Sequence, residues 1–548
     1  MIKGISLISA AFWLDAVFIS GFALLFFIGV YALLNLSPYT WVDIIHDDAY
    51  YYLGVARSMV ERQTSSFAPP FATNGYQPLW LWLLSLQAFV FGTGTRELVL
   101  QAYTLNYGFI LAFILMSRRW HGAAFPAVIA VVSYAISLLN GMESAMMPAF
   151  FLLFMQAKGW RGRGIYACLL FLTRIDALAV VFARDVYRVL FKREYCLRHY
   201  YILLPLVALY LALNYALFGI PVPVSGLQKS VGMVLGENWQ TGLAYLLTLK
   251  TSVRLFFCLG AAVLLQTARS WRFAYAEEIF VLTLTALVYA AYYGLLSGWP
   301  VWHWYYWPSV LLIYYLLLES WRELRSLWPA SSKRDIMGIA LLLLSMAYTV
   351  KSSIQTMEGQ LGLLSEPPRD SHISFGRQNV KLADWARLQG LPKNTFFAMG
   401  DRAGSLGFFL GGDFRFFHAE GLVGDAEYYR AMKQDQGLRF VNALDVDYWV
   451  AERENYLKTG DVIGVIEPVQ ALSAHVGPYM LCFPKSAIVL DQSYAPDKYM
   501  ARHELEYRYV FDFKKRVECP AELNDEFEEL KSHYGGVRTY SLPVEVRG

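Results

Sequence analysis

The sequence predicts a mostly α-helical protein, with a polytopic membrane bundle over 1–354 and an extracytoplasmic α/β domain over 355–548. Three observations predict it. The chain is 56% hydrophobic and only 17% charged, where soluble domains carry roughly a quarter charged residues, so water is not its only solvent. Apolar runs long enough to span a bilayer recur from the N-terminus to residue 350. Beyond that point the pattern changes to short apolar runs separated by polar helical ones. A net charge of +3 is too small to argue for nucleic acid. The five cysteines show neither a CxxC pattern nor metal-ligand spacing.

Taken in order, the apolar segments run 5–36, 97–116, 122–140, 144–157, 201–218, 253–268, 278–296, 305–318 and 336–350. The first is too long for a signal-peptide core and has no small-residue cleavage site, so it is expected to be an uncleaved anchor. Basic clusters fall at Arg118–Arg119, Lys158–Arg163, Arg184–Arg198, Arg269–Arg272 and Arg322–Arg334. Placing all of them in the cytoplasm satisfies the Lys/Arg bias of short loops. The N-terminus is then cytoplasmic, and the outer face holds 37–77, 140–144, 219–250, 297–304 and everything after 350. The expected location is a bacterial inner membrane, with the C-terminal domain periplasmic. Segment 77–91 is short for a span, and counting it would invert every basic cluster, so it is expected to be interfacial or re-entrant. Segment 165–183 is interrupted by Arg174 and Asp176, and parity asks for two half-helices with these charges at the tip. Charges at membrane depth face a cavity or a partner; here they either line a site or neutralise each other.

The chemistry-bearing residues collect in the outer loops. The first, 37–77, opens with Asp47-Asp48 followed by Tyr50-Tyr51-Tyr52, and closes with Thr73-Asn74-Gly75-Tyr76-Gln77-Pro78-Leu79-Trp80. Mutual repulsion of adjacent carboxylates raises one pKa, which suits a general base; alternatively the pair shares a divalent cation such as Mg, Mn or Ca. The stretch after Asp48 has helical character and puts Tyr52, Val55, Ala56 and Met59 on one face. Further motifs are Gly141-Met142-Glu143-Ser144, Leu172-Thr173-Arg174-Ile175-Asp176-Ala177, Phe218–Gly226 with Lys229 just after, and Trp302-His303-Trp304-Tyr305-Tyr306-Trp307-Pro308. His303, Trp302, Trp304 and Tyr305 read either as ligand contacts or as part of the interfacial aromatic belt.

Five such motifs, collinear across the membrane region, resemble the GT-C superfamily, membrane glycosyltransferases that use polyprenyl-phosphate sugars, including bacterial arabinofuranosyl- and mannosyltransferase-type members. The resemblance implies a GT-C fold and transfer of one sugar, with inversion, to an extracytoplasmic glycan, lipid-linked glycan or protein. It implies Asp47 as catalytic base and Asp48 as the second acidic residue, orienting base or acceptor or holding a metal. Glu143 matches a carboxylate facing the cavity, and Arg174 and Lys229 are candidates for the donor phosphate. Tyr51, Asn74, Tyr76, Gln77, Asp176, His303 and Tyr305 are candidates for cavity, acceptor or sugar contacts. The other functional class to weigh is a lipid or solute transporter, but transporters usually carry internal repeats, and none is seen here.

In the C-terminal part, 358–374 with Pro367-Pro368 reads as a linker. Strands are predicted at 395–399, 414–418, 448–451, 487–490 and 507–513, with a helix at 425–433. Gly400–Gly404 lacks phosphate-loop spacing. It and Gly421–Asp425 resemble stretches of the same relatives, in a domain expected to roof the site or help choose the acceptor, or to serve structure alone. Cys482 and Cys519 share an oxidising compartment in this topology and are candidates to pair.

Overall fold

The computed structural model describes residues 2–195, 197–231, 235–236, 239–247, 259, 273–299, 301–327, 374–452, 456–468, 477–494 and 506–533. The expected spans at 253–268 and 336–350, the linker and the 354/355 boundary fall outside these residues, apart from Leu259 and Ser374. Among the described residues four helices are long and apolar enough to cross a membrane: Phe12–Asn35, Thr95–His121, Tyr200–Phe218 and Ala276–Leu295. Tyr200–Phe218 exposes Leu204, Leu209, Leu213 and Leu217, a run that water disfavours and lipid accepts. The 122–140 segment is broken, with helix Phe125–Ser133 ending at Tyr134 before a short turn over Ala135–Leu138. Helix Pro78–Phe91 is 14 residues, as its short apolar run predicts.

The break expected near residue 174 is present. Helix Trp160–Thr173 stops where Arg174 becomes extended, one 3₁₀ turn covers Ile175–Ala177, and Leu178–Tyr187 continues as helix.

Helix Asp47–Glu61 carries most of the site's architecture. His46 caps it, and the two aspartates occupy its first turn, where the helix dipole favours negative charge. Its neighbours bury it on all sides, from Ala49 through Ala56.

The C-terminal part is α/β. Strands β1 (Phe396–Met399), β2 (Arg415–His418) and β3 (Tyr448–Glu452) are parallel. Strands β7 (Ile488–Tyr494) and β8 (Glu506–Asp512) extend the sheet antiparallel, in the order β2-β1-β3-β8-β7. A second, antiparallel sheet of β4 (Tyr456–Thr459), β5 (Val462–Glu467) and β6 (Tyr479–Pro484) is not anticipated by the sequence analysis. In β5 the apolar run is interrupted by Gly464, against which the Met480 side chain packs, so its pattern reads poorly as a strand. Cys482 on β6 forms a disulfide with Cys519.

One apolar cluster runs from Phe22 and Leu33 through Tyr50–Tyr52 to Leu406, Phe408, Phe416 and Val510. The α/β part is therefore packed on the helical part through helix Asp47–Glu61. Polar contacts reinforce the seam: Arg377 pairs with Asp43, and Arg57 donates to the Phe408 carbonyl at 3.1 Å.

Candidate active site

The motifs scattered through the sequence meet at one cleft. Helix Asp47–Glu61 contributes Asp48, Tyr51, Tyr52 and Val55. These are positions i, i+3, i+4 and i+7, the spacing that puts side chains on one helical face. The remaining wall comes from Gly75–Gln77, Met142–Glu143, Arg174, Ser225, Lys229, Trp304–Tyr305 and, from the α/β part, Leu422–Val423. At Gly75 the two parts approach closely, since a Cβ there would collide with the Leu422 carbonyl.

The acidic pair divides. Residues i and i+1 of a helix point about 100° apart, so adjacent aspartates there cannot share a direction. Asp48 lines the cleft and Asp47 does not. Asp47 is 6% exposed and turned into the α/β part, where its Oδ2 accepts from the Gly404 amide at 2.8 Å. Its Oδ1 accepts from the Ser405 amide at 2.8 Å and from Ser405 Oγ at 2.5 Å. The expectation that Asp47 meets the acceptor is not what the geometry shows. The last residue of the glycine turn, Gly404, and Ser405 after it hold this carboxylate of the chain's own.

Burial pushes Asp48 up to about 7; Lys229 pulls it down, while Asp401 and Glu143 push it up. Burial also raises Asp47, to about 6, although the Ser405 donors oppose the rise. Asp48 is therefore partly protonated near neutrality, the condition in which a carboxylate best exchanges protons with substrate.

The two basic candidates differ. Arg174 is 2% exposed and already held by carboxylates. It donates from Nη1 to Glu143 Oε1 at 2.7 Å, and grips Asp176 through Nε at 3.0 Å and Nη2 at 2.8 Å. Glu143 also accepts from Tyr52 at 2.9 Å. Lys229 donates to the Tyr305 hydroxyl at 2.8 Å and, among the described residues, has no carboxylate within ion-pair distance. Burial opposes its charge, but Tyr305 and Asp48 more than offset this and its pKa lies above the ordinary value. The Arg174 guanidinium stacks over the same Tyr305 ring, 4.6 Å from its centre.

Of the other candidates, Tyr51, Tyr76, Gln77 and Tyr305 line the cleft. Tyr51 reaches His418 Nε2 at 2.9 Å, crossing to the end of β2. Gln77 accepts from the Ile175 amide at 3.4 Å and so ties the first loop to the Arg174 turn. Asn74, Asp176 and His303 are not in the lining. Asn74 donates to Asn214 at 2.9 Å and to the Val222 carbonyl at 3.1 Å, and accepts from the Val224 amide at 2.9 Å. It clamps the Pro221–Ser225 loop, which carries Lys229 behind it. His303 is exposed and meets Tyr134 at the far side of its turn. Met142, Ser225, Leu422 and Val423 are lining residues that sequence reasoning does not single out. All four lie inside the motifs named above; Met142, Leu422 and Val423 are apolar, and Ser225 is a lone hydroxyl in an otherwise apolar Pro/Val stretch.

A cation shared by the acidic pair would meet an Asp47 carboxylate that already accepts three hydrogen bonds, two at Oδ1 and one at Oδ2. Among the described residues no three His, Cys, Asp or Glu side chains are grouped to hold a metal ion.

No protein-family model matches the chain, and no curated protein matches it. Among solved structures the chain is similar to ArnT from Cupriavidus metallidurans, in crystal structures bound to undecaprenyl phosphate and in the apo state. In each case identity is 12% and the TM-score is 0.48, over 90% of this chain and 98% of that one.

Proposed function

We propose that the chain is an inverting membrane glycosyltransferase that moves a monosaccharide from a polyprenyl-phosphate donor to an extracytoplasmic glycan, lipid-linked glycan or protein. The observation that carries this reading is the meeting, in one cleft, of the buried Asp48 carboxylate with the Lys229 ammonium, which among the described residues has no carboxylate within ion-pair distance. Asp48 takes the proton of the acceptor hydroxyl, whose oxygen attacks the anomeric carbon. The carbon–oxygen bond to the lipid phosphate breaks, and its electron pair stays on the phosphate. Negative charge grows there in an oxocarbenium-like transition state, so the fixed ammonium of Lys229 stabilises that state more than the ground state. Tyr305 holds Lys229 in place. Arg174 sets the cleft wall and adds a second positive field, with its charge already balanced by Glu143 and Asp176.

One carboxylate base and no covalent intermediate make a single displacement, hence inversion. A bacterial inner-membrane setting, with cytoplasmic N-terminus and periplasmic α/β part, follows from the basic clusters and is supported by the Cys482–Cys519 disulfide, which belongs in an oxidising compartment. The donor's lipid tail then never has to leave the bilayer. The test is to incubate purified protein with a panel of polyprenyl-phosphate sugars and an acceptor extract, and to measure free polyprenyl phosphate. At least one sugar should release it with wild type and none with Asp48→Asn. Release at the wild-type rate by Asp48→Asn would overturn the assignment.

A further inference from the structure

We propose that Asp47 and Ser405 are positioning residues: a buried polar chain, Arg508–Asn379–Ser405–Asp47, latches the α/β part onto helix Asp47–Glu61 and so sets where Asp48 stands. The proposal rests on the reading of Asp48 as the base.

The direction of the chain follows from hydrogen-bonding capacity alone. Arg508 is fully buried on β8 and has only donors; its Nη1 meets Asn379 at 2.6 Å, so the atom it meets is the amide oxygen. The Asn379 nitrogen therefore points the other way, donating to Ser405 Oγ at 2.7 Å and to the Arg402 carbonyl at 2.9 Å. With its oxygen receiving that proton, Ser405 directs its own hydroxyl proton to Asp47 Oδ1. Every link donates toward Asp47. Two backbone amides at the start of helix Gly404–Leu410 complete the set, and hydrogen bonds to a charged acceptor are the stronger kind. The fit at Gly404 is close, since a Cβ there would strike the Asp47 carbonyl.

Asp47 and Asp48 are joined by one peptide on one helical turn, so fixing the first carboxylate fixes the azimuth of the second. A second tie runs beside it, from Tyr51 to His418. The same seating brings Leu422 and Val423 onto the cleft wall. The α/β part is thus a component of the site, and the base is in register only while that part is seated.

The test uses the full-length protein in nanodiscs, as wild type, Asp47→Asn and Ser405→Ala. Hydrogen–deuterium exchange is read over 47–61 and 404–425, and kcat, donor KM and the pH dependence of kcat are measured alongside. The charged groups facing Asp48 are Lys229, Asp401, Glu143, Glu420 and Asp47. Burial is the main cause of its raised pKa, so a loosened seat moves the acid limb of kcat to lower pH. Both variants should exchange faster in both segments, lose roughly 10- to 100-fold in kcat at nearly unchanged donor KM, and shift that limb downward. Exchange equal to wild type in both variants overturns the latch, as does a loss of kcat with the limb unmoved. If wild type turns over no donor yet the variants exchange faster, the transferase reading fails and the latch stands.

Discussion

Two walls of the cleft solve the same problem in opposite ways. On one, Arg174 is buried with two carboxylates supplied by the chain, Glu143 and Asp176. On the other, Lys229 is partly buried and leans on a phenol hydroxyl, with no carboxylate in contact among the described residues. Both cations adjoin the same ring, Tyr305. A buried charge whose counter-charges are built in belongs to the framework, because removing one partner strands the others. A charge hydrogen-bonded to a phenol and facing Asp48 only at longer range is the one prepared for an incoming anion. The guanidinium also suits its task, since its planar fork can hold one carboxylate bidentately and a second at once.

Four experiments break or sharpen this contrast. The largest effect is expected at the group both walls surround: Asp48→Asn should lower kcat by roughly 10²- to 10⁴-fold. Because the pKa of Asp48 is raised in the folded protein, its contribution to stability is fully present below the ordinary carboxylate range and is lost as pH rises through about 7. The same variant should therefore melt at a higher temperature than wild type at pH 8, with the gap closing toward pH 4.

Next comes Lys229→Ala, which should cost on the order of 10²-fold in kcat/KM through loss of transition-state charge stabilisation. It should also move the acid limb of the pH profile upward, since Lys229 pulls the Asp48 pKa down. An unchanged limb would separate Lys229 from the base.

Arg174→Ala should act on stability. Leaving Glu143 buried and unpaired costs about 3–5 kcal/mol, read as a fall in melting temperature, and Glu143→Gln in the same chain should recover much of it. If Arg174→Ala keeps its melting temperature and loses donor affinity, the two walls have been assigned the wrong way round. The smallest effect is expected at His303→Ala, within about two-fold of wild-type kcat, because its ring lies outside the cleft lining.

Much of the arrangement is legible along the chain. The helix after the acidic pair, the break at Arg174, the five strands of the main sheet and the disulfide partners all follow from apolar periodicity, from charge placement or from cysteine position. Lys229, Tyr51, Tyr76, Gln77, Glu143 and Tyr305, drawn from separate motifs, line one cleft. The antiparallel sheet β4–β6 is not legible, since its middle strand carries a glycine and its apolar residues pack on a helix, Ala521–His533, that the sequence analysis does not identify. Asn74 reads as a ligand contact because it stands among polar, aromatic residues, yet its three hydrogen bonds all go to the chain.

Composition, periodicity and charge determined by themselves that this is a helical membrane chain with an appended α/β part, and that an acidic pair follows its first long apolar segment. Only the tertiary structure decided which member of the pair meets the cleft. Neighbouring residues on a helix diverge by about 100°, and nothing local says which azimuth is covered. The choice was made some 350 residues downstream, where Gly404 and Ser405 offer three donors to Asp47 and leave Asp48 to the open side.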